Sequence, residues 1–331
     1  LDGSTGVKVY IVGKGAVGTY FGDMLHGVGL DVQYAPREID AVTPYDADVA
    51  LLTTKSYDTD GAIATLRKAI PHPEKTVFVS PQNGVGNEEK LAAAFGADNV
   101  MAAALTIPVG RDRDGNVSTA KDGGLALAPM GANAYNWLIA TFAGAGMNVK
   151  VVDDWRSLKW SKLALNAVAN ASCAILNVLP KRLVHFEKVF TLEIRMIREV
   201  RAVMQAMKIA PIDLPRYPVR ALVHVASLPS PVARGLLARS IAAARGTKAP
   251  SLLIDLRAGK PQSEVDVLNG AVAAAGHEHG VPTPVNAIYC RVLDDIAHTP
   301  PLWAKYRERP DTLEAEVVAE MRRVKALARR R

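Results

Sequence analysis

VKVYIVGKGAVG, from Val7 to Gly18, runs an apolar, β-branched stretch straight into a G-x-G-x-x-G turn. The order of residues carries the meaning. In such a turn the first glycine, Gly13, permits a tight bend, and the second, Gly15, lets a phosphate approach the backbone. The third, Gly18, lets the following helix lie close on the strand. Lys14, Ala16 and Val17 complete the hexapeptide. The free N–H groups and positive dipole end of a helix opening there suit an anion. Three glycines in a loop arise easily by chance, so the weight rests on the strand before them and the helical pattern after them, which continues to Gly29.

Outward from the turn, the chain alternates. A second strand is expected over Asp31 to Ala35, and further buried strands over Asp48 to Thr54, Thr76 to Ser80 and, more weakly, Val100 to Leu105. Helical patterns lie between them at Asp58 to Ile70 and Glu88 to Phe95. This alternation predicts an α/β fold with a Rossmann-type doubly wound parallel sheet that binds a dinucleotide. The second strand ends without the acid that usually holds a ribose 2′-hydroxyl, and Arg37 follows it. A guanidinium there can pair bidentately with a 2′-phosphate, which favours NADP over NAD, although a surface arginine beside Glu38 reads the same way. Between Ala35 and Asp48 there are roughly a dozen residues, too few for a well-formed crossover helix with its loops, so either a piece of the usual fold is deleted here or residues are missing from the chain.

Beyond about Asp153 the pattern becomes helix after helix, Ala- and Leu-rich, so the chain divides into residues 1–152, an NADP-binding domain, and 153–331, an all-α domain for substrate and catalysis. In Trp155 to Leu176, read as one apolar helix, Lys162, Asn166 and Asn170 stand at i, i+4 and i+8 on one face. Buried together, such groups need partners. Asparagines bonding between helices and a snorkelling lysine would supply them, and so would the carboxylate and carbonyl of a small keto acid.

The composition bounds the rest. The chain has 331 residues, 49% apolar and 22% charged, which suits two globular domains. Its two cysteines, Cys173 and Cys290, suggest neither a disulfide framework nor a thiolate metal site. His277 and His279 lie on different helical faces, so no metal is expected. The formal charge of +7 is concentrated in MRRVKALARRR, Met321 to Arg331, read as the solvated end of a last helix, with nucleic-acid binding not expected. No apolar run reaches the ~18 residues of a membrane span. Leu1 to Gly6 does not read as a signal peptide, so a cytoplasmic location is the expectation.

Further segments carry a resemblance. LLTTKSYDT with Lys55, SPQNGVGNEE with Asn83, KLALNAVAN opened by Lys162, and PSLLIDLRAGKPQSEVDVLNG with Ser251 and Glu264 join GKGAVG and Arg37 in one order. Over about Lys8 to Ile296 the chain resembles the ketopantoate reductase (2-dehydropantoate 2-reductase) family. The resemblance implies NADPH as cofactor, a small keto acid as partner, and reduction of 2-dehydropantoate to pantoate on the way to coenzyme A; it is compatible with a homodimer. It implies Lys162 as the general acid, with Glu264 close to it and to the substrate. Asn166, Asn170 and Ser251 would hold the substrate, with Lys55 and Asn83 on the nicotinamide side and Asn83 also near the substrate. Glu264 has a second explanation, because Ser263 to Asp266 reads as a capping box, and Ser251 could be an N-cap. Gln262 reads as an insertion against the family pattern, and the chain beyond about residue 300 has no counterpart in it. A related reductase of another small 2-keto acid, or a non-catalytic NADP(H)-binding relative, are the alternatives.

Overall fold

A computed structural model describes residues 6–111, 116–119, 122–245 and 248–328; the side chains of 240–245 and 328, and the terminal arginines Arg329 to Arg331, lie outside the described part. The chain divides into two compact units. The first comprises Leu1–Lys159 with the returning segment Asp213–Tyr217, and the second comprises Trp160–Ile212 with Pro218–Arg331.

The first unit is built on β1 (Lys8–Val12), α1 (Ala16–His26), β2 (Asp31–Tyr34), β3 (Val49–Leu52), α2 (Thr59–Ala69), β4 (Val77–Ser80), α3 (Asn87–Phe95) and β5 (Val100–Leu105). It continues through β6 (Val109–Arg111), β7 (Val117–Thr119), β8 (Leu125–Pro129), α4 (Asn136–Gly144) and β9 (Val149–Val151). The seven-stranded sheet has the order β2-β1-β3-β4-β5-β8-β9. Side chains alternate across it with the period of two that strands impose. Val9, Ile11, Val49, Leu51, Val79 and Leu127 meet Phe21 and Leu25 of α1 and Phe142 of α4 on one face. Tyr10, Ala50, Leu52 and Phe78 meet Ile63 and Leu66 of α2 and Leu91 of α3 on the other. Covering both faces is what lets these strands be continuously apolar.

Two features depart from a wholly parallel sheet with regular crossovers. β8 pairs antiparallel to β5, with Ala103 opposite Leu127, so the sheet is mixed. The chain between these strands turns back through the separate β6–β7 ribbon, and an antiparallel return needs no crossover helix. The second departure was legible in the residue count. From β2 to β3 the chain crosses β1 with a single 3-10 turn, Ile39–Ala41. Val42, Tyr45 and Ala47 pack into the α2 side of the core, Lys68 Nζ donates to Ile39 O at 2.8 Å, and Tyr45 N–H donates to Ala69 O at 2.7 Å. A pinned loop therefore does the covering that a helix normally does.

The second unit contains the larger part of α5 (Trp155–Ala167), then α6 (Ala171–Leu176), α7 (Pro180–Leu183), α8 (Glu187–Ala206), α9 (Val219–Ser227), α10 (Ser230–Arg245) and α11 (Ser251–Arg257). A π-helical segment, Asp266–Gly270, leads into α12 (Ala271–Glu278), followed by α13 (Pro284–His298), α14 (Trp303–Tyr306) and α15 (Pro310–Ala328). The tail that matched no pattern in the sequence is anchored here. Trp303 Nε1 donates to Ala174 O and Ile175 O at 3.0 and 2.9 Å, and Glu308 N–H donates to Leu176 O.

The expected helix from Trp155 to Leu176 is broken. Ala169 takes a left-handed φ of +50°, and its N–H donates to the buried Glu193 carboxylate of α8 at 2.6 Å in place of a helical carbonyl. α5 therefore stops at Ala167, and Asn170 stands at the N-cap position of α6. Lys162 and Asn166 share one helix at i, i+4, but Asn170 does not continue their row.

Candidate active site

β1, β3 and β4 run parallel in register, so the turns after them open along one edge of the sheet. Such carboxyl ends are where open α/β sheets receive ligands. Gly13 follows β1, with φ of +106°, and a Cβ there would lie 2.7 Å from Thr54 N. A Cβ on Gly18 would collide with Gly13 O and lie 2.5 Å from Thr53 Oγ1. Thr53 Oγ1 in turn donates to Gly13 O at 2.6 Å and Val12 O at 3.1 Å, locking the turn to β3. Gly15 differs from both, since a Cβ added there meets nothing within 4 Å. The outer two glycines are required by the protein's own packing, whereas the middle one leaves space above a helix N-terminus. That is the division of labour a phosphate-binding turn needs.

At the rim of the turn, Lys14 Nζ lies 5.0 Å from the centroid of the Tyr34 ring, within cation–π range. Arg37 is exposed in the loop that follows β2.

The turns after β3 and β4 are tied to each other. Lys55 and Asn83 are both half-buried, and their backbones are held by a polar cluster. Ser56 Oγ donates to Asn83 O at 2.8 Å, as does Asn87 Nδ2 at 3.1 Å. Gln82 Nε2 donates to Thr54 O at 3.1 Å, Thr54 Oγ1 at 3.2 Å and Thr59 Oγ1 at 3.1 Å. Ser56, Thr59, Gln82 and Asn87 are buried, so these bonds act in a weakly screened interior. The structure thus brings the Lys55 and Asn83 segments together. Gln82 and Asn87 flank Asn83 in SPQNGVGNEE, where polar residues directly after an apolar strand were their signal.

Under this cluster lies a fully buried ion pair that the sequence reading missed. Lys159 Nζ, on α5, lies 2.8 Å from Glu88 Oε1, both side chains at 0% exposure. It also donates to Gln82 O at 2.6 Å and to Ala103 O at 3.3 Å. The start of α5 is thereby fixed to the residue before Asn83.

In the second unit, Lys162 and Asn166 are half-buried on α5. Asn170 is buried and meets Ser251: its Nδ2 lies 3.4 Å from Ser251 Oγ, and its Oδ1 accepts the Leu252 N–H at 3.2 Å. Asn170, and not Ser251, therefore caps α11, whose N-cap position is Pro250. Glu264 is buried immediately before the π-helical segment. Of the expected capping box, Ser263 Oγ accepts the Val265 N–H at 3.2 Å, whereas Asp266 Oδ1 accepts from Cys290 Sγ at 3.3 Å. Among the described residues no group of three or more His, Cys, Asp or Glu side chains could hold a metal, and His277 and His279 are exposed at the end of α12. No described helix is long and apolar enough to cross a membrane.

Two domain models match, ketopantoate reductase over residues 33–132 and the ketopantoate reductase C-terminal domain over residues 154–297. A 2-dehydropantoate 2-reductase of Archaeoglobus fulgidus is 27% identical over 304 residues, covering 84% of this chain and 94% of the relative. The crystal structure of a ketopantoate reductase of Ralstonia eutropha JMP134 is 29% identical and superposes with a TM-score of 0.72, covering 88% of this chain and 99% of the other. D-mandelate dehydrogenase in complex with NADH shares the fold at 20% identity with a TM-score of 0.72, covering 88% and 99% of the two chains. Because the two domain matches take in the turns after β3 and β4 as well as the segments bearing Lys162 and Glu264, descent is common to both units, and the chain belongs to the ketopantoate reductase family of oxidoreductases.

Proposed function

We propose that the protein reduces 2-dehydropantoate to pantoate with NADPH. The observation that carries this reading is the sheet edge at which the glycine turn and the Lys55 and Asn83 segments open side by side, in a chain of this family. The residues present fit a dinucleotide. Open space at Gly15 and the start of α1 suit the pyrophosphate, and Lys14 and Arg37 suit further phosphate charge. The nicotinamide ring, when bound, supplies a hydride. Lys55 and Asn83 would orient the ring. Lys162 is the general acid, since hydride arrival builds negative charge on the substrate oxygen, and an ammonium both stabilises that charge and gives the proton. Asn166, Asn170 and Ser251 hold the hydroxyl and carboxylate, and Glu264 is the carboxylate near the lysine. Asn170 does this from its bond to Ser251, so the pair acts as one polar unit.

The test is a panel of small 2-keto acids, assayed by NADPH oxidation with NADH in parallel. The expected result is the highest kcat/KM with 2-dehydropantoate and NADPH. Faster turnover of another keto acid, or of NADH, would replace the substrate or cofactor assignment.

Gly15 gives a second expected outcome. Gly15→Ala adds a methyl where the protein itself has nothing, so thermal stability should hold, while NADPH affinity should fall by about tenfold or more as the methyl meets the phosphate. Gly18→Ala should instead yield little folded protein, because its methyl is driven into Gly13 O. Equal NADPH titrations for wild type and the Gly15 variant would remove the phosphate from this turn.

A further inference from the structure

The β6–β7 ribbon is not part of the main sheet, yet it is held firmly at one place. Val109 and Val117 pack into the core cluster that includes Phe21 and Leu25 of α1. Arg111 pairs directly with Val117 across the ribbon and stands two residues from Val109, so all three share one ribbon face. The two valines face α1, and Arg111 is therefore directed toward the same helix. Its Nη1 donates to Lys14 O at 3.2 Å, in the glycine turn at the opening of that helix.

A guanidinium stays charged at every physiological pH and carries planar N–H donors matched to phosphate oxygens. Lys14 O belongs to the peptide that leads into Gly15, above which the added Cβ finds open space. A permanent cation bonded to that peptide lies beside the space where the helix dipole already favours an anion. We propose that Arg111 is a phosphate-binding residue of the cofactor site, reaching from the β6–β7 ribbon to the pyrophosphate at the glycine turn. The proposal rests on the dinucleotide reading above and adds to it a cation that the glycine motif does not contain. It also divides the labour among the cations. Arg111 serves the pyrophosphate, common to both nicotinamide dinucleotides, and Arg37 serves the 2′-phosphate, present in one.

The experiment uses the full chain with Arg111→Ala, Arg111→Gln and Arg37→Ala, titrating NADPH and NADH by cofactor fluorescence. Glutamine keeps a donor that can brace the ribbon on Lys14 O and removes only the charge. Both Arg111 variants should weaken NADPH and NADH alike, by about tenfold for the loss of a charge-assisted bond, whereas Arg37→Ala should weaken NADPH alone. If Arg111→Gln binds both cofactors as wild type does, Arg111 only braces the ribbon and the proposal is overturned. Loss confined to NADPH also overturns it, placing Arg111 at the 2′-phosphate. Wild-type protein that binds neither dinucleotide overturns the cofactor reading itself, an outcome distinguishable from the others because it appears before any substitution.

Discussion

Lys162→Ala is expected to lower kcat for keto-acid reduction by about 10²–10⁴-fold, the range lost when a positioned general acid is removed. Cofactor affinity should change little, within about twofold, because the amine is asked to act on the charge that develops at the substrate oxygen and not on the dinucleotide. Lys162 is half-buried on an α5 whose packing is carried by Leu158, Leu163 and Ala164, so truncating its stem should leave thermal unfolding nearly where it was. The pH profile discriminates. A general acid contributes a limb to the dependence of kcat on pH, and that limb should vanish in the variant. A kcat reduced less than about tenfold with an unchanged profile would return Lys162 to the role of a snorkelling lysine and move the proton source elsewhere.

How far the sequence reached depended on the range of the interactions. The glycine turn was legible because three glycines within six residues answer to three local demands, and the space a Cβ would find at Gly13, Gly15 and Gly18 separates them as the motif does. The missing crossover helix was legible because chain length alone forbids it. By contrast, the break after Ala167 depends on Glu193, which comes from α8 and is far along the chain; nothing within Trp155 to Leu176 announces it. The short β6–β7 ribbon escaped for another reason. Strands of three residues such as VGR and VST are too brief to show a period of two. The polar stripe was therefore half right. Lys162 and Asn166 keep their helical spacing, while Asn170 reaches Ser251 from a separate helix, a pairing that sequence order could not supply.

Lys159 and Glu88 set the other large expectation. The sequence reading singled out neither Lys159, between Leu158 and Trp160, nor Glu88, beside Glu89. The fold encloses both, and no hydrogen bond beyond the ion pair reaches either Glu88 oxygen among the described residues. Glu88 also sits in the first turn of α3, where the helix dipole favours a carboxylate. Lys159→Met strands that carboxylate in the interior and takes a donor from Gln82 O and Ala103 O. Glu88→Leu strands the ammonium. Either change alone should lower the unfolding free energy of the first unit by about 3–5 kcal/mol, the cost of an uncompensated buried charge. The double variant removes both charges. It regains about 1–4 kcal/mol of desolvation and still forfeits about 1–3 kcal/mol at the abandoned carbonyl oxygens, so it should unfold close to wild type. Urea titrations of the four proteins give the coupling directly. Single variants that each cost less than about 1 kcal/mol would show the pair to behave as a solvated surface bridge. The double variant also tests what the pair does for the site. Without the bond from Lys159 to Gln82 O, the residue before Asn83 loses its tie to α5, so stability should return while KM for the cofactor stays raised.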